Sequence, residues 1–328
     1  MQNKILKIGN IEAEPGTINY GSLAEVYLPD STEIKIPLIV VRGNKDGPIL
    51  MLSSTIHGTE ITGADALRKL IKILDPNEMK GTVLCLPVLN PFAFQHSVMN
   101  TPQDSYNMNR VFPGDPKGLT SFRIANLIFE RAIKVSDYII DFHANPQPAI
   151  PFTIIKLKGA DVDKKSISLA KSFGITTIRM MVSNEPHRTG TIIDAALSLD
   201  KPALTVEALY WRRIEPTSSK MCIKGILNIM KSIGMINGNI EKQEGFPIIE
   251  GELSRVEITA NKGGFVDIKF NAGDKVNKGD VIAEIWNPYG ETVERIESPV
   301  NGYILAYPLL GNQAVATGDI IAFIAYKI

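Results

Sequence analysis

The feature that most constrains this chain is an alternation that fills its first 240 residues. Apolar runs at 49–52, 83–88, 138–142 and 202–206 are interleaved with segments at 61–74, 119–133, 164–173, 192–199 and 221–233. The latter carry helical spacing; in the first, apolar residues fall at 61, 64, 67, 70, 71 and 74, one face of a helix. Short apolar runs alternating with helices predict an α/β domain with a mixed, mostly parallel sheet and flanking helices. Two earlier segments, Ala24-Glu25-Val26-Tyr27-Leu28 and Glu33-Ile34-Lys35-Ile36, are expected to form strands at one edge of that sheet. Beyond Gly245-Phe246-Pro247 the chain changes to short β-branched runs punctuated by Gly, Asn and Pro. The expected organisation is therefore an α/β domain over 1–245 and a small all-β barrel or sandwich over 246–328.

Three apolar runs stop at residues that carry chemistry. The first leads to His57-Gly58-Thr59-Glu60, directly before a helix; the third to His143; the fourth to Glu207. In open α/β sheets ligands bind beyond the carboxyl ends of the strands. An imidazole and a carboxylate three residues apart can grip one metal ion, and zinc accepts both. The chain has four histidines, so candidates for a third ligand are few. Of these, His143 also stands at a strand end, two residues after Asp141. Strand period would point both to one face, where the carboxylate can orient the imidazole. The plainer alternative for His143 is a capped strand end. For Glu207 it is a solvated acid or a partner of Arg212 or Arg213, against a general base. In Asn107-Met108-Asn109-Arg110-Val111-Phe112-Pro113-Gly114, Arg110 offers a fork of donors for a carboxylate and Asn109 an amide beside it. The alternative is a loop arginine paired to Asp104 or Asp115.

The order HGTE, N-x-N-R-x-F-P-G, D-F-H and T-V-E resembles the succinylglutamate desuccinylase and aspartoacylase family, within the zinc carboxypeptidase-like group. The likeness spans roughly residues 30 to 230 and includes Asn90-Pro91-x-Ala93. It implies one zinc per chain held by His57, Glu60 and His143, with Glu207 as general base and acid. It further implies that Asn109 and Arg110 hold a substrate carboxylate. The activity implied is hydrolysis of the amide of a small N-acyl amino acid, acetyl or succinyl in type. Metallocarboxypeptidase action on peptides is the alternative within hydrolases. A metal-binding or assembly protein that keeps the fold without catalysis is the alternative outside them. Two departures stand out. Many relatives carry an arginine shortly before N-x-N-R, and residues 99–107 contain none; Arg123, Arg179 or Arg188 can replace it, or zinc alone can stabilise the oxyanion. Relatives also often have Leu-Gly where Ala208-Leu209 stands.

The all-β segment holds an internal repeat. Residues 276–285 align with 315–324, and Gly264-Phe265-Val266 with Gly302-Tyr303-Ile304. Over 258–326 it resembles the biotinyl/lipoyl carrier fold. The hairpin between its halves, Trp286-Asn287-Pro288-Tyr289-Gly290-Glu291-Thr292, has no lysine to carry a cofactor. Its expected role is structural, walling the cleft or forming a subunit contact in a homo-oligomer.

Composition narrows the partners. With 35 basic and 35 acidic residues the formal charge is zero, and nothing points to nucleic acid or an anionic membrane. No apolar stretch approaches the ~20 residues that span a bilayer, and the start lacks a secretory apolar core. Cys85 and Cys222 form no C-x-x-C pair and are expected as buried, reduced thiols in a cytoplasmic protein. His96 and His187 are expected as plain surface histidines near the site.

Overall fold

The computed structural model describes residues 5–185, 188–308 and 313–328; His187 lies outside them. A small hairpin, β1 (Leu6–Ile8) and β2 (Ile11–Ala13), precedes the antiparallel pair β3 (Thr17–Tyr27) and β4 (Glu33–Arg42). The alternating part follows as β5 (Lys45–Ser54), α1 (Thr62–Leu70), β6 (Lys80–Leu86), α2 (Pro91–His96) and α3 (Thr120–Ile128). It continues through β7 (Tyr138–Asn145), β8 (Phe152–Leu157), α4 (Asp161–Phe173), β9 (Thr176–Met181), α5 (Ile192–Ser198), β10 (Ala203–Leu209) and α6 (Pro216–Ser232). Helix starts are written locally. Asn90 accepts from the Ala93 amide ahead of α2, with Pro91 in the first helical position. Thr191 and Asp194 close a reciprocal capping box ahead of α5.

The central strands bury apolar side chains on both faces because both faces are covered. Met51, Ile139 and Ala203 pack on the side of α3 and α5. Leu50, Leu52, Ile140, Phe142, Leu204 and Val206 pack on the side of α1, α4 and α6. Strand period therefore assigns the row Ile139, Asp141, His143 and the row Ala203, Thr205, Glu207 to the α3/α5 side.

Twelve strands form one mixed sheet, β9-β8-β10-β7-β5-β6-β4-β3 with further strands beyond β9. Parallel pairing holds at the centre, between β10 and β7, β7 and β5, and β5 and β6. β8 lies antiparallel to β10, and β4 antiparallel to β6. The link at 146–151 is too short for the crossover of a dozen or so residues that a parallel return needs, so β8 runs back antiparallel. β3 is the last strand of that sheet, an edge as expected.

The remaining strands are β11 (Leu253–Thr259), β12 (Gly264–Ile268), β13 (Lys275–Val276), β14 (Val281–Trp286), β15 (Thr292–Glu297), β16 (Gly302–Ala306), β17 (Ala314–Val315) and β18 (Ile320–Lys327). β13, β16, β18 and β11 face a four-stranded sheet of β15, β14, β12 and β17. Between them lies an apolar cluster that includes Val276, Ile282, Ile285, Ile304 and Ile324. The repeat has a structural basis. Gly279 and Gly318 take φ of 91° and 93°, a region natural to glycine. In each copy the following aspartate accepts an amide three residues back: Asp280 from Asn277 at 2.7 Å, Asp319 from Ala316 at 2.8 Å. The β segment is no appendage on a linker. β11 pairs in parallel with β9 through Leu253 and Ile178, and Phe152, Ile178, Leu253, Leu305 and Ala325 share a core at the seam.

Among the described residues no helix is long and apolar enough to cross a membrane. Cys85 and Cys222 are both free and buried, and burial pushes both thiols up.

Candidate functional site

The turn between β5 and α1 is held from several directions. The Gly58 amide donates to the Val98 carbonyl at 2.8 Å, and the Arg212 amide to the Thr59 carbonyl at 2.7 Å. Gly58 passes so close to α2 that a Cβ there would lie 1.9 Å from the Ala93 carbonyl oxygen. Only glycine fits between His57 and Thr59. The turn thereby delivers His57 and Glu60, 6% and 5% exposed, against His143, 5% exposed on β7.

The three side chains meet through one carboxylate. His57 Nδ1 is 2.9 Å from Glu60 Oε1, and His143 Nδ1 is 2.8 Å from Glu60 Oε2. One ligand atom from each of the three residues lies within 4.8 Å of the others. Two imidazole nitrogens and a carboxylate oxygen are a donor set suited to zinc, leaving room for a further ligand. The other ring nitrogens are also engaged: His57 Nε2 with Asn107 Oδ1 at 3.0 Å, His143 Nε2 with Asp141 Oδ2 at 2.7 Å. Asp141 in turn accepts from Ser53 Oγ at 2.7 Å. Such outer partners fix ring orientation in metal sites. Burial alone would raise the Glu60 carboxyl, but the charges and hydrogen bonds of His57 and His143 hold it at about 2. Burial works against a charged His143, yet Asp141 and Glu60 outweigh it and raise that ring well above its usual value.

Glu207 is the register partner of His143 across β10 and β7. Both residues lie inside their strands, since pairing runs on to Asn145 and Leu209 after the apolar runs have ended. Loss of hydration pushes the Glu207 carboxyl up; His143 pulls it down, Glu60 raises it, and Arg255 and His57 lower it. Its Oε2 accepts from Asn145 Nδ2 at 2.9 Å. The competing partners are occupied elsewhere. Arg213 lies over the Tyr210 ring, and Arg212 donates to the Ser97 carbonyl.

Asn109 and Arg110 lie in a turn packed against the segment before α5. Asn109 Oδ1 accepts from the Ile192 amide at 3.0 Å, and its Nδ2 is 3.2 Å from His143 Nε2. Arg110 Nη1 donates to the Asn109 carbonyl at 2.7 Å, and its side chain lines the pocket. Asp104 and Asp115, its alternative partners, accept instead from Ser121 and from the Lys117 amide.

All six residues singled out above line one pocket of about 630 Å3, within the range of small-molecule sites. Of the three arginines considered as replacements, Arg188 lines this pocket. Arg123 donates to the Gly118 carbonyl and borders a different cavity; Arg179 pairs with Glu252 at 2.6 Å. His96 sits on α2 with Nδ1 3.0 Å from the Phe92 carbonyl. Sequence reasoning missed several lining residues. Asn145 continues the two-residue period of Asp141 and His143, so a signal was present. Lys156, Arg255 and Glu257 carried none, because strands distant in sequence bring them in. The pocket wall contributed by the β segment comes from β11, Pro308, the turn at 318–319 and β18, whereas the 286–292 hairpin takes no part and leaves Tyr289 89% exposed.

A curated relative, N-alpha-acetyl-L-2,4-diaminobutyric acid deacetylase of Halomonas elongata, is 27% identical over 301 residues, 89% of this chain and 86% of its own. The product-bound structure of the ectoine utilization protein EutE (DoeB) from Ruegeria pomeroyi superposes with a TM-score of 0.83 at 21% identity, covering 94% of this chain and 95% of that one. A succinylglutamate desuccinylase/aspartoacylase structure from Rhodobacter sphaeroides gives 0.83 at 22% identity, covering 95% of each. These two are likenesses of fold. The family model for the succinylglutamate desuccinylase/aspartoacylase catalytic domain matches residues 46–233, more than half of the chain and the whole of the histidine–glutamate cluster. The chain belongs to the succinylglutamate desuccinylase/aspartoacylase family.

Proposed function

We propose that this protein is a zinc-dependent hydrolase that cleaves the amide bond of a small N-acyl amino acid. The observation that carries this reading is the meeting of His57, Glu60 and His143 through facing donor atoms, with Glu207 one strand away in the same pocket. His57, Glu60 and His143 hold the metal, one per chain. Bound there, zinc supplies Lewis-acid polarisation of the acyl oxygen and lowers the pKa of water.

The chain's own groups do the rest. Glu207 takes a proton from the attacking water on a carboxylate oxygen and passes it to the leaving nitrogen. A carboxyl raised by burial suits both halves of that transfer. Asn145, donating to Glu207, holds the carboxylate in place between them. Arg110 binds the substrate carboxylate, and Asn109 braces that turn against α5 while adding an amide hydrogen beside it. Anchoring a group away from the reacting bond converts binding into orientation. The relative named as a deacetylase of an N-acetylated amino acid supports this substrate class. The β segment serves as a structural wall of the pocket, which favours small substrates over peptides.

The test is metal analysis of wild type, His143→Ala and Glu207→Gln, followed by a screen of N-acyl amino acids and C-terminal dipeptides. About one zinc per chain, lost in His143→Ala and kept in Glu207→Gln, with turnover of an N-acyl amino acid by wild type, is the expected result. Protein that takes up no zinc, or cleaves only the dipeptides, overturns the reading.

A further inference from the structure

Lys156, on β8, is a cation in the pocket wall, and it is 8% exposed. A charge so placed reads first as a docking point for an anionic substrate. Its hydrogen bonds assign it elsewhere. An ammonium has three protons to donate. Lys156 Nζ is 2.8 Å from the Arg188 carbonyl and 2.7 and 2.8 Å from the two oxygens of Asp194, with Thr191 Oγ1 at 3.4 Å. All four acceptors belong to one stretch, residues 188–194, which leads into α5.

That stretch is also the one that grips the arginine-bearing turn. The Phe112 amide donates to the Gly190 carbonyl at 3.0 Å, and the Ile192 amide to Asn109 Oδ1 at 3.0 Å. Gly190 takes φ of 70°, and a Cβ there would lie 2.2 Å from the Arg110 carbonyl oxygen. The two backbones thus meet on both sides of Arg110, and neither shifts without the other.

Asp194 joins the two halves of the device. Its Oδ2 accepts from the Thr191 amide at 3.1 Å and from the Thr191 hydroxyl at 2.8 Å, which closes the start of α5. With Lys156 it forms a largely buried ion pair. Removing one member of such a pair leaves the other uncompensated. Arg110 stands in the same field: burial lowers the pKa of both Lys156 and Arg110, and Asp194 opposes that in both. Without the ammonium, Asp194 would draw Arg110 towards itself as the stretch comes loose from β8.

We propose that Lys156 is a positioning residue: by pinning residues 188–194 to β8 it sets the Asn109–Arg110 turn, and with it the grip on the substrate carboxylate. It acts through that turn and touches no substrate. The proposal rests on the amidohydrolase reading, in which Arg110 holds the carboxylate.

The test uses zinc-loaded full-length wild type, K156M and D194N, each checked for zinc content and melting temperature. The probes are the N-acetyl amino acid that wild type cleaves best and the same compound with its carboxylate converted to a carboxamide. The carboxamide is read as an inhibitor where it is not cleaved. In K156M the KM for the carboxylate substrate is expected to rise about tenfold or more, with kcat within a few-fold, zinc held and the constant for the carboxamide unchanged. Backbone hydrogen exchange is read alongside. Peptides covering Phe112 and Ile192 are both expected to exchange faster in K156M, with those covering β7 unchanged. An unchanged KM, an equal loss for carboxylate and carboxamide, or faster exchange confined to 188–194 overturns the proposal. D194N, which removes the anion and keeps the shape, is expected to act in the same way and decides if K156M does not fold. Should no substrate turn over, the amidohydrolase reading falls, and the exchange pattern decides separately whether Lys156 sets the turn.

Discussion

His143 and Glu207 are register partners on adjacent parallel strands, β7 and β10. Parallel pairing places a histidine of the cluster and an acid at the same height on the sheet, with both side chains on the α3/α5 side. No loop has to fold correctly to bring them together. Glu207→Gln keeps the shape and removes the proton acceptor. We expect kcat to fall by about 10²–10⁴-fold with zinc content and melting temperature close to wild type. Activity within a few-fold of wild type would remove Glu207 from proton transfer.

Asp141 acts on the same histidine from the other side, at 2.7 Å from Nε2. Asp141→Asn leaves the His143 ring without its anionic anchor. Zinc affinity is expected to drop by about 10–100-fold, read by competition with a chromophoric chelator. An unchanged affinity would mean that Asn109, also near Nε2, orients the ring alone.

Gly58 sets the position of the turn that carries His57 and Glu60. In Gly58→Ala the new methyl meets the Ala93 backbone, which cannot swing aside as a side chain would. The expected cost is about 1–3 kcal/mol of stability, with weaker zinc binding because the ligands on either side move. Calorimetric unfolding with and without added zinc separates the two effects. Wild-type values for both would show that the turn has slack.

Asp65 on α1 ties that helix to α6. Its buried carboxylate accepts from Ser219 Oγ at 2.7 Å and Lys69 Nζ at 2.5 Å, and pairs with Arg68 at 2.5 Å. Burial alone would raise its pKa, but the hydrogen bonds from Lys69 and Ser219 and the charges of Lys69 and Arg68 prevail and lower it. A folded value below the unfolded one stabilises the protein above the unfolded carboxyl pKa, and that contribution is lost as pH falls through the folded value. Asp65→Asn is therefore expected to be less stable by about 1–3 kcal/mol at pH 7, with the gap to wild type narrowing below about pH 4. Denaturant titrations at pH 7 and pH 3 check this; a gap independent of pH would refute it.

Much of the site was legible before any coordinates. Apolar runs ending at His143 and Glu207, and the HGTE turn between a run and a helix, marked the cluster, although both residues lie inside strands that run on to Asn145 and Leu209. The expected helices lie close to the observed ones, and α3 runs on through a π-helical turn, Phe129–Ile133, over the stretch foreseen as helical. The strand direction of β8 was less visible, since it depends on the shortness of a link more than on its residues. Asn107 was quoted within its motif and assigned no task, yet it holds His57 Nε2.

Periodicity within each segment determined which residues share a face, because alternation and helical spacing are local consequences of backbone geometry. That put Asp141 and His143 on one face, while the grouping of His57, Glu60, His143 and Glu207 came from the order of the motifs and the family resemblance it carries. Only the tertiary structure decided that Arg255 and Glu257 complete the pocket. Their arrival depends on β11 docking beside β9, where Leu253 and Ile178 bury a shared seam. Which distant strands pair is settled by the apolar surface they bury jointly, and neither segment carries that information alone.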